Sequence, residues 1–288
     1  MHNYTITGHM MVKNEANWVW YSIMSVIDFV DELIIFDTGS TDNTVEIIKS
    51  IVNDDKYRHK VIFEEKGAVS VQEIKDIRQE QIDRTKTDYF FVIDGDEIWY
   101  QETLNNIRMQ LNKSDTRIEL LWVKMLMAAG DVRHVRDGVR EQYHMTLRDE
   151  NGRMVYEATG SYTIRIYSMH IPGINCSGDY GVEGFWDDKG NEVQAGPYKS
   201  ELADGYYFHA SYLPRAGKIE GDLSIAYRAK KYHADWDYKL PNNFKYPEVF
   251  SRRNEAKIKI FDPFSLQISR LYRMLHWARK IKRMLKRG

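Results

Sequence analysis

The chain has one cysteine in 288 residues. An internal disulfide framework is therefore excluded, and the sequence fits a reducing compartment. Cys176 itself reads as a small space-filler, not a nucleophile. No apolar run approaches the length of a membrane span, and the first residues lack the basic-then-apolar order of a signal peptide. The expectation is a protein that is not secreted. Neither charge sign is in excess: the formal net charge is −1, so no bulk attraction to nucleic acid is implied. Neither G-x-G-x-x-G nor G-x-x-x-x-G-K-[ST] occurs. The dinucleotide and P-loop readings lose their main support.

What the chain does contain is a run of buried strands ending in acids. Tyr89, Phe90, Phe91, Val92 and Ile93 are five apolar or aromatic residues in succession, the pattern of a strand covered on both faces. They run straight into Asp94, Asp96 and Glu97, with Gly95 between. Ligands bind at the carboxyl ends of strands in open α/β sheets. Like charges clustered out of water need a compensating positive charge. A divalent metal carrying a phosphorylated substrate supplies it, because hard cations take oxygen ligands. Gly95 permits a tight turn and a close approach. The competing expectation is a solvated acidic turn.

Upstream, a strand over 5–12 leads into Lys13-Asn14-Glu15, and Trp18, Ser22, Ile23, Val26 and Val30 share a helical face. A second strand over 32–37 ends in Asp37. A turn cluster follows, with Thr41 or Asp42 as the expected helix cap, then a helix through Val45, Ile47, Ile48 and Ile51. A third strand over 61–63 and a charged helix over 71–84 precede the acidic strand. This alternation predicts a parallel α/β sheet with right-handed connections. Asp37 sits where a carboxylate can accept hydrogen bonds from a base or ribose. Arg78, on the helix between the two acidic strand ends, suits phosphate; it equally suits surface pairing with its helix neighbours Glu73, Asp76 and Glu80.

Three motifs in this order, Lys13-Asn14-Glu15, Phe36-Asp37-Thr38-Gly39-Ser40-Thr41-Asp42 and Ile93-Asp94-Gly95-Asp96-Glu97, resemble those of the family 2 glycosyltransferases of the GT-A fold. The likeness is good over about 5–100 and loose beyond. It implies a Rossmann-type, mainly parallel sheet flanked by helices, with an elaborated acceptor-side half. It also implies a nucleotide-sugar donor, a UDP-sugar by preference, and inversion at the anomeric carbon. Mn²⁺ or Mg²⁺ would bridge the diphosphate to Asp96, with His209 as a second metal ligand. Asp37 would meet the base, and Arg78, Asp94, Lys13 and Glu15 would line the donor site. A general base for the acceptor hydroxyl falls to Glu183, then Asp179. The resemblance divides the chain into a nucleotide-sugar half (1–110), an acceptor-side half (111–262) and a helical tail (263–288).

The second half adds candidate strands over 118–127 and 163–167, and an Asn151-Gly152 hairpin turn. A glycine-rich stretch over 172–197 carries Phe185, Trp186, Asp187 and Asp188. Aromatics beside acids suit a sugar, whose ring face stacks while its hydroxyls need acceptors; a hairpin with Phe185 and Trp186 in the core is the alternative. His209 follows the aromatic run 206–208, whereas His134, His144 and His170 have no such setting. Residues 270–288 hold eight basic residues and no acid, with Leu271, Leu275, Ala278, Ile281 and Leu285 at helical spacing. This is the pattern of a basic amphipathic helix lying on an anionic membrane or packed on the body.

Phe36-Asp37-Thr38-Gly39-Ser40 matches the aspartic-protease signature as well, but no second such aspartate exists to share the proton. A phosphatase reading fails because the Asp-x-Asp ends the fourth strand, not the first. The remaining rivals are a sugar-phosphate nucleotidyltransferase and a non-catalytic peripheral membrane module. The expected protein is a metal-dependent glycosyltransferase acting on a glycan or lipid-linked acceptor, cytoplasmic or peripheral on the inner face of a membrane.

Overall fold

The computed structural model describes residues 3–113, 117–136, 143–178, 184–216, 236 and 238–268, and within the tail 273–274, 276–278, 281 and 285. The first half alternates as expected: β1 (Ile6–Val12), α1 (Val19–Val26), β2 (Glu32–Asp37), α2 (Thr44–Val52), β3 (Val61–Glu65), α3 (Ile74–Arg84) and β4 (Tyr89–Asp94). After Gly95 come β5 (Glu97–Trp99) and α4 (Gln101–Lys113). β1 pairs in parallel with β2 and with β4, and β2 with β3. In this register Val12 lies beside Asp37 and Met11 beside Asp94. The three strands therefore stop level with one another, and their acids gather at one edge.

The second half extends the same sheet. β6 (Leu120–Ala129), β7 (Asp131–Val135), β10 (Tyr162–Ser168), β13 (Ser200–Tyr212) and β14 (Tyr238–Lys239) join it. The path runs β14-β7-β6-β10-β4-β1-β2-β3, with β13 bridging β6 and β5. Here the pairing is mixed: β10 is antiparallel to β4 and β6, whereas β13 is parallel to β6 and antiparallel to β5. β8 (Tyr143–Arg148) and β9 (Met154–Gly160) form a separate hairpin, as do β11 (Asn175–Ser177) and β12 (Gly184–Trp186).

Alternation along β4 separates two cores. Phe91 and Ile93 face the α1 layer with Ile6, Met10, Ile23 and Trp99. Phe90 and Val92 face a smaller layer with Ile82, Trp122 and Ile164. Every residue of α1 is buried, which leaves its serine hydroxyls needing partners. Ser22 donates to the Asp94 carbonyl at 2.9 Å, and Ser25 accepts the Trp99 N–H at 3.1 Å. Both bonds tie α1 to the acidic turn.

Several details differ from expectation. α2 begins at Thr44 with Asn43 before it, so neither Thr41 nor Asp42 is the cap residue. Asp42 instead accepts from the Thr44 N–H at 3.0 Å. The helix expected over 71–84 starts at Ile74. The run over 118–127 is one strand. Gly152, at φ 75°, makes the β8–β9 turn as the Asn-Gly pair predicts. Of the two readings for 172–197, the described part is a hairpin. Phe185 packs on Tyr167 and Phe90, with ring centroids 4.6 and 5.0 Å apart. Asp187 organises the turn, accepting from the N–H groups of Lys189 and Asn191. Asp179 and Glu183 lie outside the described residues.

Candidate active site

The acidic edge is built from four strand ends. Asn14, just past β1, takes a left-handed conformation at φ 53°, which asparagine tolerates better than most residues. Its side chain accepts from the Thr41 N–H at 2.7 Å, and its own N–H meets Ser40 Oγ at 2.8 Å. The segments after β1 and β2 are thereby locked together. The next residue, Glu15, is completely buried; Lys13, before it, is half-buried. Gly95 fits only as glycine, because a Cβ there would stand 2.7 Å from Glu15 Cγ and 3.1 Å from Val12 Cγ1.

Asp37 is buried at the end of β2. Its Oδ1 accepts from the N–H groups of Gly39 and Ser40 at 3.0 and 2.9 Å. Its Oδ2 is buried and has no partner among the described residues. One acceptor atom is thus left for something else.

The three acids after β4 are not alike. Asp94 is half-buried and lies 3.1 Å from Arg165 Nη2 and 4.0 Å from Arg78 Nη2. Burial would raise its pKa, but these guanidinium groups outweigh it and hold the carboxyl below the ordinary value. Glu97 is fully buried and also pairs with Arg165. Burial dominates there and pushes it up to about 7, against the pull of Arg165. Asp96 is 2% exposed; its Oδ1 lies 3.4 Å from His209 Nε2, and its Oδ2 3.3 Å from Arg215 Nε.

β13 brings His209 into place, because His209 pairs with Glu97 in register and the Ala210 N–H donates to the Asp96 carbonyl. His209 Nδ1 is buried without a partner among the described residues. Arg78 has a largely covered side chain turned toward Asp94. Its charge, second to burial, holds buried His9 down at about 3. Of its two expected positions, Arg78 takes the inward one.

Two arginines at this site are absent from the sequence reading. Arg165 sits in a β-bulge where Ile164 and Ile166 oppose consecutive residues of β6. The bulge leaves Arg165 unmatched in the ladder and turns it to Asp94 and Glu97. Arg215 pairs with buried Glu15 and reaches Asp96. Its backbone is pinned: the Asn17 N–H donates to its carbonyl, Asn17 Nδ2 bonds the carbonyls of Pro214 and Ala216, and Trp18 Nε1 bonds Pro214. The signal available in sequence was the demand for positive charge near four acids; which cations meet it depends on a bulge and a long-range crossing.

Chemically, the edge offers oxygen donors with one imidazole, a set suited to Mn²⁺ or Mg²⁺. Ligand atoms of Asp94, Glu97 and His209 lie within 4.8 Å of one another. Glu97 and Asp94 are already held by Arg165, so an ion there competes with a fixed guanidinium. Asp96 is likewise held by Arg215, and the nitrogen of His209 that faces it is Nε2, at 3.4 Å. The residues present suit a divalent metal.

An α/β sheet with aligned strand-end acids, extended by a mixed half, defines a GT-A fold. Residues 9–151 match the family model described as Glycosyl transferase family 2. Through that region the chain belongs to the family 2 glycosyltransferases and is a glycosyltransferase. Similar solved structures include S. aureus TarS 1–349 in complex with UDP, at 15% identity over 80% of this chain and 69% of that one, TM-score 0.47. Another is glucosyl-3-phosphoglycerate synthase from Mycobacterium tuberculosis with phosphoglyceric acid, at 19% over 83% and 82%, TM-score 0.42. A third is the mannosyltransferase PcManGT from Pyrobaculum calidifontis with GDP-Man and Mn²⁺, at 13% over 44% and 36%, TM-score 0.34. No curated protein sequence matches the chain significantly.

Proposed function

We propose that this glycosyltransferase moves a sugar from a UDP-sugar to a hydroxyl of a glycan or lipid-linked saccharide, with inversion and with Mn²⁺ or Mg²⁺. The observation that carries the donor assignment is the buried Oδ2 of Asp37, which has no partner among the described residues. Its other oxygen is committed to two backbone N–H groups. A single acceptor matches the one ring N–H that uracil presents; guanine presents an N–H and an amino group side by side, and wants two.

Asp96 and His209 would hold the metal, which when bound neutralises charge on the diphosphate leaving group. Arg78 and Lys13 would meet that diphosphate, and Arg215, against Asp96, would supply a further fixed positive charge. Asp94 orients Arg165 and Arg78, and Glu15 anchors Arg215. Glu183, with Asp179 as the alternative, is the base that takes the acceptor proton. Glu97 has a base-like pKa, but complete burial and the Arg165 contact keep it from any acceptor. The reading also places the protein peripherally on the inner face of a membrane, since the exposed apolar tail side chains have basic neighbours in sequence.

Calorimetric titration of UDP and GDP, each with and without Mn²⁺, tests the donor site on wild type and Asp96→Ala. Binding of UDP above GDP that requires both metal and Asp96 is expected. GDP preferred over UDP would overturn the assignment of Asp37, and metal-independent binding that of Asp96.

A further inference from the structure

The tail lies opposite to the way an ordinary terminal helix packs. Its described residues are helical, and among them the one turned to the protein is a histidine. His276 is 6% exposed and stacks on Trp236, with centroids 3.9 Å apart and planes 5° from parallel. The large apolar residues among those described face out instead: Met274 is 70% exposed, Trp277 63%, Ile281 52% and Leu285 78%. With 3.6 residues per turn, positions 274, 277, 281 and 285 fall within about one quarter of the helix circumference. Large apolar side chains aligned and exposed on one face mark a docking surface.

The charges decide what docks. Residues 270–288 contain eight Lys or Arg and no Asp or Glu, while the rest of the chain has 33 basic against 42 acidic residues. A second copy would present an acidic body to the cations and, for the stripe, either a matching stripe ringed by like charge or the short exposed run Met154, Val155 and Tyr156 of β9, which successive residues of a strand split between two faces. A nucleic acid would satisfy the charge and leave the stripe in water. An anionic bilayer satisfies both at once, cations at the headgroups and the stripe at the acyl boundary. Among the described residues no helix is long and apolar enough to cross a membrane, so the tail lies on the surface.

The anchor fixes which end of the molecule faces the lipid. Trp236 stands against Gly130, where a Cβ would be 3.1 Å from its ring. Gly130 follows Ala129, which pairs with Tyr212 three residues beyond His209. The tail is therefore held at the same end of the sheet as Asp96 and His209. We propose that the Met274, Trp277, Ile281 and Leu285 stripe docks the protein on an anionic bilayer with the donor-site end turned toward the lipid. The docking rests on the tail alone. That it delivers an acceptor hydroxyl carried at the bilayer surface rests on the glycosyl-transfer reading.

The test is flotation of the full chain with vesicles of phosphatidylcholine alone and of phosphatidylcholine mixed with phosphatidylglycerol. Wild type should float only with the anionic vesicles. Trp277→Ser combined with Leu285→Ser should lower partitioning about tenfold or more, without changing metal-dependent UDP binding. For orientation, an environment-sensitive label on Tyr238→Cys in a Cys176→Ser background should shift on vesicle binding, and one on Arg58→Cys should not. Failure to float, equal flotation with neutral vesicles, or a stripe variant that alters only the sedimentation mass would overturn the docking. Labels that respond equally would overturn the orientation. Loss of UDP binding in wild type, with flotation intact, would instead count against the glycosyl-transfer reading and leave the docking standing.

Discussion

Burying Glu15 at the root of the donor site is tolerable because Arg215 lies against it. Removing one partner of such a pair costs far more than removing both. Arg215→Met should therefore destabilise the fold by about 3–5 kcal/mol, and Glu15→Leu added to it should restore most of the loss; chemical denaturation of the three proteins measures this. An unrestored double variant would mean that the pair is not what holds the segment. Glu97 makes a second residue-scale prediction. Its folded pKa, near 7, stands above the ordinary 4.5, so the folded state holds a proton that the unfolded state has lost. Its contribution to stability is complete below about pH 4.5 and falls as pH rises through about 7, by about 3 kcal/mol in all. Glu97→Gln should flatten that part of the melting-temperature profile in metal-free buffer; a slope identical to wild type would contradict the assignment. The positions of Asp37, Asp94 and Asp96 were legible beforehand, since each ends or follows a buried strand; His209 was expected just past an aromatic run and lies inside β13. Arg165 and Arg215 were not legible, because nothing local distinguishes them from other arginines.

At the scale of elements, the strands were readable and their irregularities were not. A run such as Tyr89–Ile93 has no stable place except inside a sheet. The bulge at Arg165 leaves no trace in sequence, since Thr163-Ile164-Arg165-Ile166-Tyr167 alternates like any regular strand, yet its ladder with β6 slips by one residue between Ile164 and Ile166. The cap of α2 was misplaced by one or two residues for a related reason. Asp42 and Thr41 are both good capping residues, but Asn14 from another strand takes the Thr41 N–H. The segment after β13 shows the same dependence on distant partners. Asn17→Ala would strip the carbonyls of Pro214 and Ala216 of their side-chain donor, which should cost about 1–3 kcal/mol. It should also weaken metal-dependent UDP binding by loosening Arg215. A thermal melt and a UDP titration on the same variant check both effects. A destabilised variant with unchanged affinity would show that Arg215 does not act at the donor site.

For the whole molecule, one sheet gathers chemistry from nearly the full chain: Glu15, Asp37, Asp94 and Asp96 come from its parallel half, and Arg165, His209 and Arg215 from its mixed half. The parallel half was legible through its βα alternation. The mixed half was less so, because short antiparallel strands and long loops carry weak periodic signals. The tail's basic, periodic pattern was legible, but which face its described residues turn outward was not, since that depends on His276 stacking on Trp236. The most direct test of the whole is turnover. Release of nucleoside diphosphate from a panel of UDP-sugars and GDP-sugars should be measured with Mn²⁺ and with chelator, on wild type, Asp96→Asn and His209→Ala. Metal-dependent release from at least one UDP-sugar, lost in Asp96→Asn and reduced in His209→Ala, is the predicted result. Release that is indifferent to metal and to both substitutions would contradict the site described here.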